Sequence, residues 1–188
     1  MARPLSDAAR AKMIQATQEI IALHGLDTLT IDEVARRSGV AKTTIYRHFH
    51  TGDELVLAAV DDMIEHIDPP DTGTLRGDLR AVIGSFLEIA GVPALRQMFV
   101  SILNRSIVDD EFAAAYRTVK EQRHQPLQIV LQRAIARGEI DPDIELDLAV
   151  QFVQGPFVAK RVIENEDVTD RDIEILLDFV CRGLTRVR

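Results

Sequence analysis

Apolar positions recur along this chain with a helical period, and no stretch alternates residue by residue as a half-buried strand does. Residues 6–24 set Ile14, Ile21 and Leu23 with several alanines on one side, and Gly25 closes the run as a helix C-terminal glycine does. Thr30 and Glu33 have the spacing of a capping box, which predicts a short helix over 31–37. Ser38-Gly39-Val40 breaks it. A third short helix follows over 42–48, with Ile45 and Phe49 facing inward. Thr51 and Glu54 form a second such box ahead of a helix over 53–67, apolar at Leu55, Val56, Ala59, Val60 and Met63.

Asp68-Pro69-Pro70-Asp71-Thr72-Gly73 is the clearest linker: two prolines end a helix and Gly73 loosens the chain after them. About five helices should follow. One covers 74–90, and Pro93 starts the next, through Leu103. A long one over 109–137 should be kinked or divided at Pro126 and ended by Gly138. Asp141-Pro142 offers an N-cap and a first-turn proline before a strongly apolar helix over 145–164. Thr169 caps the last, which carries Ile173, Ile175, Leu176, Leu177, Phe179, Val180 and Leu184. The expected fold is therefore all-α with about nine helices: a three-helix head over 1–50 on a larger helical body over 51–188.

Residues 30–49 have the plan of a helix-turn-helix: a capped two-turn helix, a tight turn containing glycine, and a second short helix. Val34, Ala35, Val40 and Ile45 would fix the angle between the helices. The second helix then turns Lys42, Thr43, Thr44, Tyr46, Arg47 and His48 outward. Such a surface is odd for packing and suits a major groove, where Thr meets a thymine methyl and Arg reaches guanine. Lys42, Tyr46 and His48 suit phosphates, which position without reading sequence; Arg47 reads a base or touches phosphate alone, and His48 and His50 have a plain surface reading as well. Thr30 and Arg36 complete the expected DNA-facing set. The plain alternative is a helical hairpin in an ordinary bundle, against which capping, turn, exposed aromatic and local charge all agree.

Charge changes the picture. The net charge of −8 looks wrong for a DNA binder, but it is unevenly spread. Residues 1–50 hold seven Lys/Arg and five acids, a balance of +2, and residues 51–188 hold 15 bases and 25 acids, a balance of −10. Attraction to phosphate would be confined to the head. The single cysteine, Cys181, excludes an internal disulfide and a Cys-rich zinc site, and fits a reducing cytoplasm. No signal-type apolar core opens the chain, and no run has the eighteen or so apolar residues of a membrane span. These features point to a cytoplasmic protein with no membrane association.

From Thr30-Ile31-Asp32-Glu33-Val34-Ala35 through Arg36-Arg37-Ser38-Gly39-Val40-Ala41 to Lys42-Thr43-Thr44-Ile45-Tyr46-Arg47-His48-Phe49, the sequence closely resembles the head of the tetracycline-repressor (TetR) family. So do the approach over 20–27 and the helix after it, so that the likeness covers about residues 6–65. Beyond them the body resembles the family in layout alone. The resemblance implies a homodimer on a near-palindromic double-stranded operator, with one recognition helix per half-site. It further implies a small-molecule effector in the body that spreads the heads and releases DNA, and a dimer interface made by about 145–164 and 170–186. One departure stands out. Family members often carry a lysine phosphate contact at the start of the helix after the aromatic motif, where this chain has Thr51-Gly52-Asp53-Glu54. That helix N-terminus can still offer N–H groups to phosphate, but Asp53 and Glu54 oppose one.

Other chemistry is thin. Glu121-Gln122-Arg123-His124 matches one arm of a di-metal bundle, but no second Glu-x-x-His exists, so a solvated helix face is the better reading and no metal is expected. Cys181 reads as a buried small hydrophobe rather than a thiol sensor. No catalytic triad or Gly-rich phosphate loop is recognisable, so neither an enzyme nor a bound cofactor is expected. Phe86, Phe99, Phe112, Tyr116, Phe152 and Phe157 are core residues or the lining of an effector cavity. The candidate effector contacts are Phe86, Ser101, Asn104, Arg105, Tyr116 and Gln154. Two rivals to a ligand-released repressor stay open: a helical enzyme or small-molecule carrier with a vestigial head, and a DNA binder regulated by a protein partner or by abundance.

Overall fold

The computed structural model describes residues 7–63 and 68–185. Among them are nine α-helices and no strand, as the periodicity requires. They are α1 Asp7–His24, α2 Ile31–Ser38, α3 Lys42–His48, α4 Gly52–Met63, α5 Leu75–Gly91, α6 Pro93–Val108, α7 Asp110–Ala136, α8 Leu146–Val158 and α9 Asp170–Leu184. A 3-10 turn, Leu26–Thr28, follows α1, and a π-helical segment, Ala159–Ile163, follows α8. The expected start at Ser6, the stretch 64–67 and the end at 186 lie outside the described residues. No single helix among those described is long and apolar enough to cross a membrane.

The chain forms two compact units. The first holds Met1–Glu65 with Pro93–Lys120, and the second His66–Val92 with Glu121–Arg188. In the first, Met13, Ile14, Ala16 and Ile20 of α1 pack with Ile31, Val34, Ile45, Leu55 and Ala59. A neighbouring cluster joins Ile21, Leu26, Val56 and Val60 to Met98, Ile102, Phe112 and Tyr116. Leu23, expected on the apolar side of α1, is 68% exposed, and Met13 and Ile20 take the inward positions instead. Thr17 is fully buried and donates its hydroxyl proton to the Met13 carbonyl at 2.8 Å, so it brings no unpaired polar group into the core.

The second unit packs Leu79, Leu127, Val130, Leu131, Val150, Val153, Phe157, Leu177 and Val180 into one core. Three expectations change here. Pro126 does not divide α7, which runs unbroken past it. A helical proline forfeits one N–H bond, and buried Leu127, Val130 and Leu131 hold the following turn in place. Asp141-Pro142 is a turn rather than a helix start: the Asp141 carboxylate accepts from the Asp143 N–H at 3.1 Å. Glu145 caps α8 instead, accepting from the Asp147 and Leu148 N–H groups. The apolar helix expected over 145–164 stays α only to Val158. Pro156 disturbs the ladder near its end, and the chain widens into the π-helical segment.

The linker is not loose. Gly73 does adopt a left-handed φ of +86°, but Arg133 of α7 donates to the Pro69 and Pro70 carbonyls, each at 3.2 Å. Asp78, fully buried, accepts from the Thr72 N–H at 2.6 Å, the Thr72 hydroxyl at 2.8 Å and Arg137 at 3.0 Å. Arg137 also bonds Glu139, which accepts from the Leu75 N–H at 2.7 Å. Burial pushes the Asp78 carboxyl up. The bonds from Thr72 and Arg137 outweigh it and hold the group below its ordinary value. The segment 69–75 is thus strapped to the end of α7.

Candidate nucleic-acid interface

The head is built from its turn outward. The Thr30 hydroxyl accepts from the Glu33 N–H at 3.2 Å and starts α2. Gly39 ends α2 at φ +68°, a left-handed value favouring glycine. The Ser38 hydroxyl accepts from the Val40 N–H at 3.2 Å and tightens the turn. Ala41 then opens α3. Ile45, fully buried, anchors α3 to the core, with Val40 and Phe49 packed at its edge. With one face of a seven-residue helix pinned this way, the rest of its surface has to face outward.

That surface carries Lys42, Thr43, Tyr46 and Arg47, all exposed, with Thr44 and His48 half-buried beside them. Tyr46 is 53% exposed. Arg47 has no carboxylate partner among the described residues, and its Nε donates to His48 Nε2 at 3.3 Å. Thr30 is exposed at the start of α2, and Arg36 is exposed near its end. All eight expected DNA-facing residues therefore lie on α2, α3 and the residue before α2.

The carboxylates of α2 are a feature the sequence reading missed. Lys42 Nζ sits 2.6 Å from Asp32 Oδ1 across the turn. Glu33 accepts from Arg36 Nε at 2.8 Å, Arg36 Nη2 at 2.5 Å and Arg37 Nε at 2.6 Å. These arginines, Arg36 foremost, hold the Glu33 carboxyl at about 2. Arg37 also donates to His24 Nε2 at 2.9 Å. The expected reciprocal arm of the capping box, from Glu33 back to Thr30, is absent because the arginines occupy the carboxylate. The i,i+3 and i,i+4 spacing of Glu33 to Arg36 and Arg37 was visible in sequence; the Asp32–Lys42 pair, formed across a turn, left no local signal.

At the start of α4 the second box is also half-made. Thr51 accepts from the Glu54 N–H at 3.1 Å, but the Glu54 carboxylate turns to His50, accepting from its N–H at 2.7 Å. Asp53 lies 3.4 Å from Arg105 of α6. Arg105 also pairs with Asp109 at 2.9 Å and stands 5.7 Å from the Phe112 ring centroid. The two acids that replace the expected lysine are thus each taken up internally.

The candidate effector contacts divide between the units. Ser101, Asn104, Arg105 and Tyr116 belong to the first, where Tyr116 stacks on Phe112 at 6.5 Å within the core. Phe86 and Gln154 belong to the second, where Phe86 packs against the main cluster. Phe112 and Phe157 are plain core, and Phe152 is 46% exposed. No group of His, Cys, Asp and Glu among the described residues could hold a metal ion.

Comparison with known proteins agrees with this geometry. Residues 13–59 match the family described as bacterial regulatory proteins, tetR family, and residues 69–180 match the tetracyclin repressor-like C-terminal domain. A DNA-binding transcriptional repressor TetR of Mycobacteroides abscessus is 30% identical over 94% of this chain and 93% of its own length. An uncharacterized HTH-type transcriptional regulator of Mycobacterium tuberculosis is 29% identical over 93% of this chain and 87% of its own. The crystal structure of the TetR family transcription regulator SCO0332 superposes with a TM-score of 0.73 at 27% identity, covering 96% of this chain and 100% of that one.

Proposed function

The chain belongs to the tetracycline-repressor family of transcriptional regulators, and from that premise we propose that it is a repressor that binds a near-palindromic operator as a homodimer and leaves it when a small molecule binds. The observation that carries the reading is α3: a short helix fixed by buried Ile45 that displays Lys42, Thr43, Tyr46 and Arg47. Arg47, which has no carboxylate partner among the described residues, is the base-reading residue. Thr43 and Thr44 touch thymine methyls, and Thr30, Arg36, Lys42, Tyr46 and His48 contact the backbone.

Residues 1–50 act as the reading head and 51–188 as the effector-binding and dimerising body, working in the cytoplasm where the DNA lies. Exposed apolar side chains support a second copy on α8 and α9. Leu148 and Phe152 stand one turn apart on α8, and Ile175 and Phe179 one turn apart on α9. A small-molecule effector bound by the body favours one spacing of the two heads, and DNA favours another. The two ligands therefore oppose each other through a coupling free energy.

Selection of duplex sites from a random pool tests the reading. An enriched two-fold site, its halves about one helical turn or a multiple apart, is expected. Failure to enrich any site overturns the proposal. On the selected site, Arg47→Ala should cost about 1–3 kcal/mol while barely changing affinity for random DNA.

A further inference from the structure

Residues 30–49 carry four permanent cations, Arg36, Arg37, Lys42 and Arg47, against two acids, Asp32 and Glu33. The structure groups them unequally. Arg36 and Arg37 share Glu33, which leaves one positive charge between them. Arg47 is unmatched by a carboxylate among the described residues. Lys42 and Asp32 form a closed one-to-one pair at 2.6 Å, with both side chains more than half exposed. Lys42 is the first residue of α3, so the pair joins the DNA-facing helix to the first turn of α2.

Non-specific affinity for DNA comes from cations that replace condensed counterions on phosphates. An ammonium already held by a carboxylate contributes little to that exchange, because its bond to Asp32 must first break. An exposed pair is weak enough to break when something else fixes the phosphate in place. Docking of α3 on its full set of base contacts would supply that, and a passing duplex would not.

We propose that Asp32 is an affinity-setting residue of the DNA interface, an internal stand-in for phosphate that keeps Lys42 occupied until the correct site is docked. The proposal rests on the reading of α3 as the DNA-facing helix. Asp32 lowers affinity without touching a base: the operator must break the pair to reach Lys42, and other duplexes forgo the Lys42 contact.

The test uses the full chain, a duplex carrying the selected operator, and a scrambled duplex of equal length. Asp32→Asn, which keeps size and removes the charge, should tighten binding to the scrambled duplex roughly fivefold near 0.1 M salt and steepen its salt slope by about one. Operator affinity should rise at least as much, because docking no longer has to break the pair. In a Lys42→Ala background, Asp32→Asn should do nothing to scrambled binding. A gain on the scrambled duplex alone, no gain, or a gain that survives in the Lys42→Ala background each overturn the proposal. Asp32→Ser, also at home in a first helical turn, repeats the measurement with a different side chain. A wild-type chain that selects no operator fails the underlying reading instead, and is told apart by that.

Discussion

Glu33 in the head and Asp78 at the start of α5 each gather arginine, yet they do different work. Glu33 is partly exposed, and its partners reach it from the same helix, three and four residues on. Asp78 is fully buried and draws Thr72 from the strap and Arg137 from the end of α7. The first arrangement organises charge on a surface; the second organises backbone. Exposed ion pairs contribute little to stability and are easily exchanged. A buried carboxylate that loses its partners leaves desolvated groups with nothing to pair with.

Substitution at Asp78 should break that contrast most severely. Asp78→Ala strands the Thr72 N–H and leaves Arg137 held by Glu139 without its buried acceptor. We expect a loss of about 3–5 kcal/mol in urea unfolding, with faster hydrogen exchange over 69–80 and 133–139. Unchanged exchange in that strap would show that the network does not hold it. In the head the sensitive residue is apolar. Ile45→Ala should cost about 2–3 kcal/mol and speed exchange over 31–49, with operator binding lost as α3 comes off its anchor. Retained operator affinity would mean that α3 is fixed by something other than this core.

The smallest effect is in acid. The Glu33 carboxyl is lowered from 4.5 to about 2, so its favourable pairing is complete above pH 4.5 and lost only as pH falls through about 2. A carboxyl titration by NMR should place its midpoint near 2 at low salt. In about 1 M salt, where screening reaches across only about 3 Å, that midpoint should rise. The buried Asp78, also lowered, should respond much less. Parallel movement of both would erase the distinction between them.

Much of this fold could be read from local rules. The helical period located every helix, and Thr30, Gly39 and the turn at Ser38 marked the head because their chemistry acts within a few residues. What stayed hidden was made by residues distant in sequence or by competition. Arg133 and Arg137 reach a strap some sixty residues earlier, which no window detects. Both early capping boxes matched in spacing and formed only in half, because Arg36 with Arg37, and His50, outcompeted the expected N–H groups for the glutamates. Pro126 and Asp141-Pro142 were read by their usual habits, and tertiary packing kept α7 undivided at the first. The exposed α3 surface was legible, but the partnership of its first residue with Asp32 was not.

Gly77 sits in the first turn of α5, and a Cβ there would collide with the Thr72 hydroxyl and come within 2.9 Å of Thr74 Oγ1. The Thr72 hydroxyl is the one bonded to Asp78. Any lineage of this sequence meets a joint constraint here. Position 77 admits a side chain only once the side chains of Thr72 and Thr74 both give way, and moving the first breaks its bond to Asp78. Change at position 77 should therefore come only with change at positions 72 and 74.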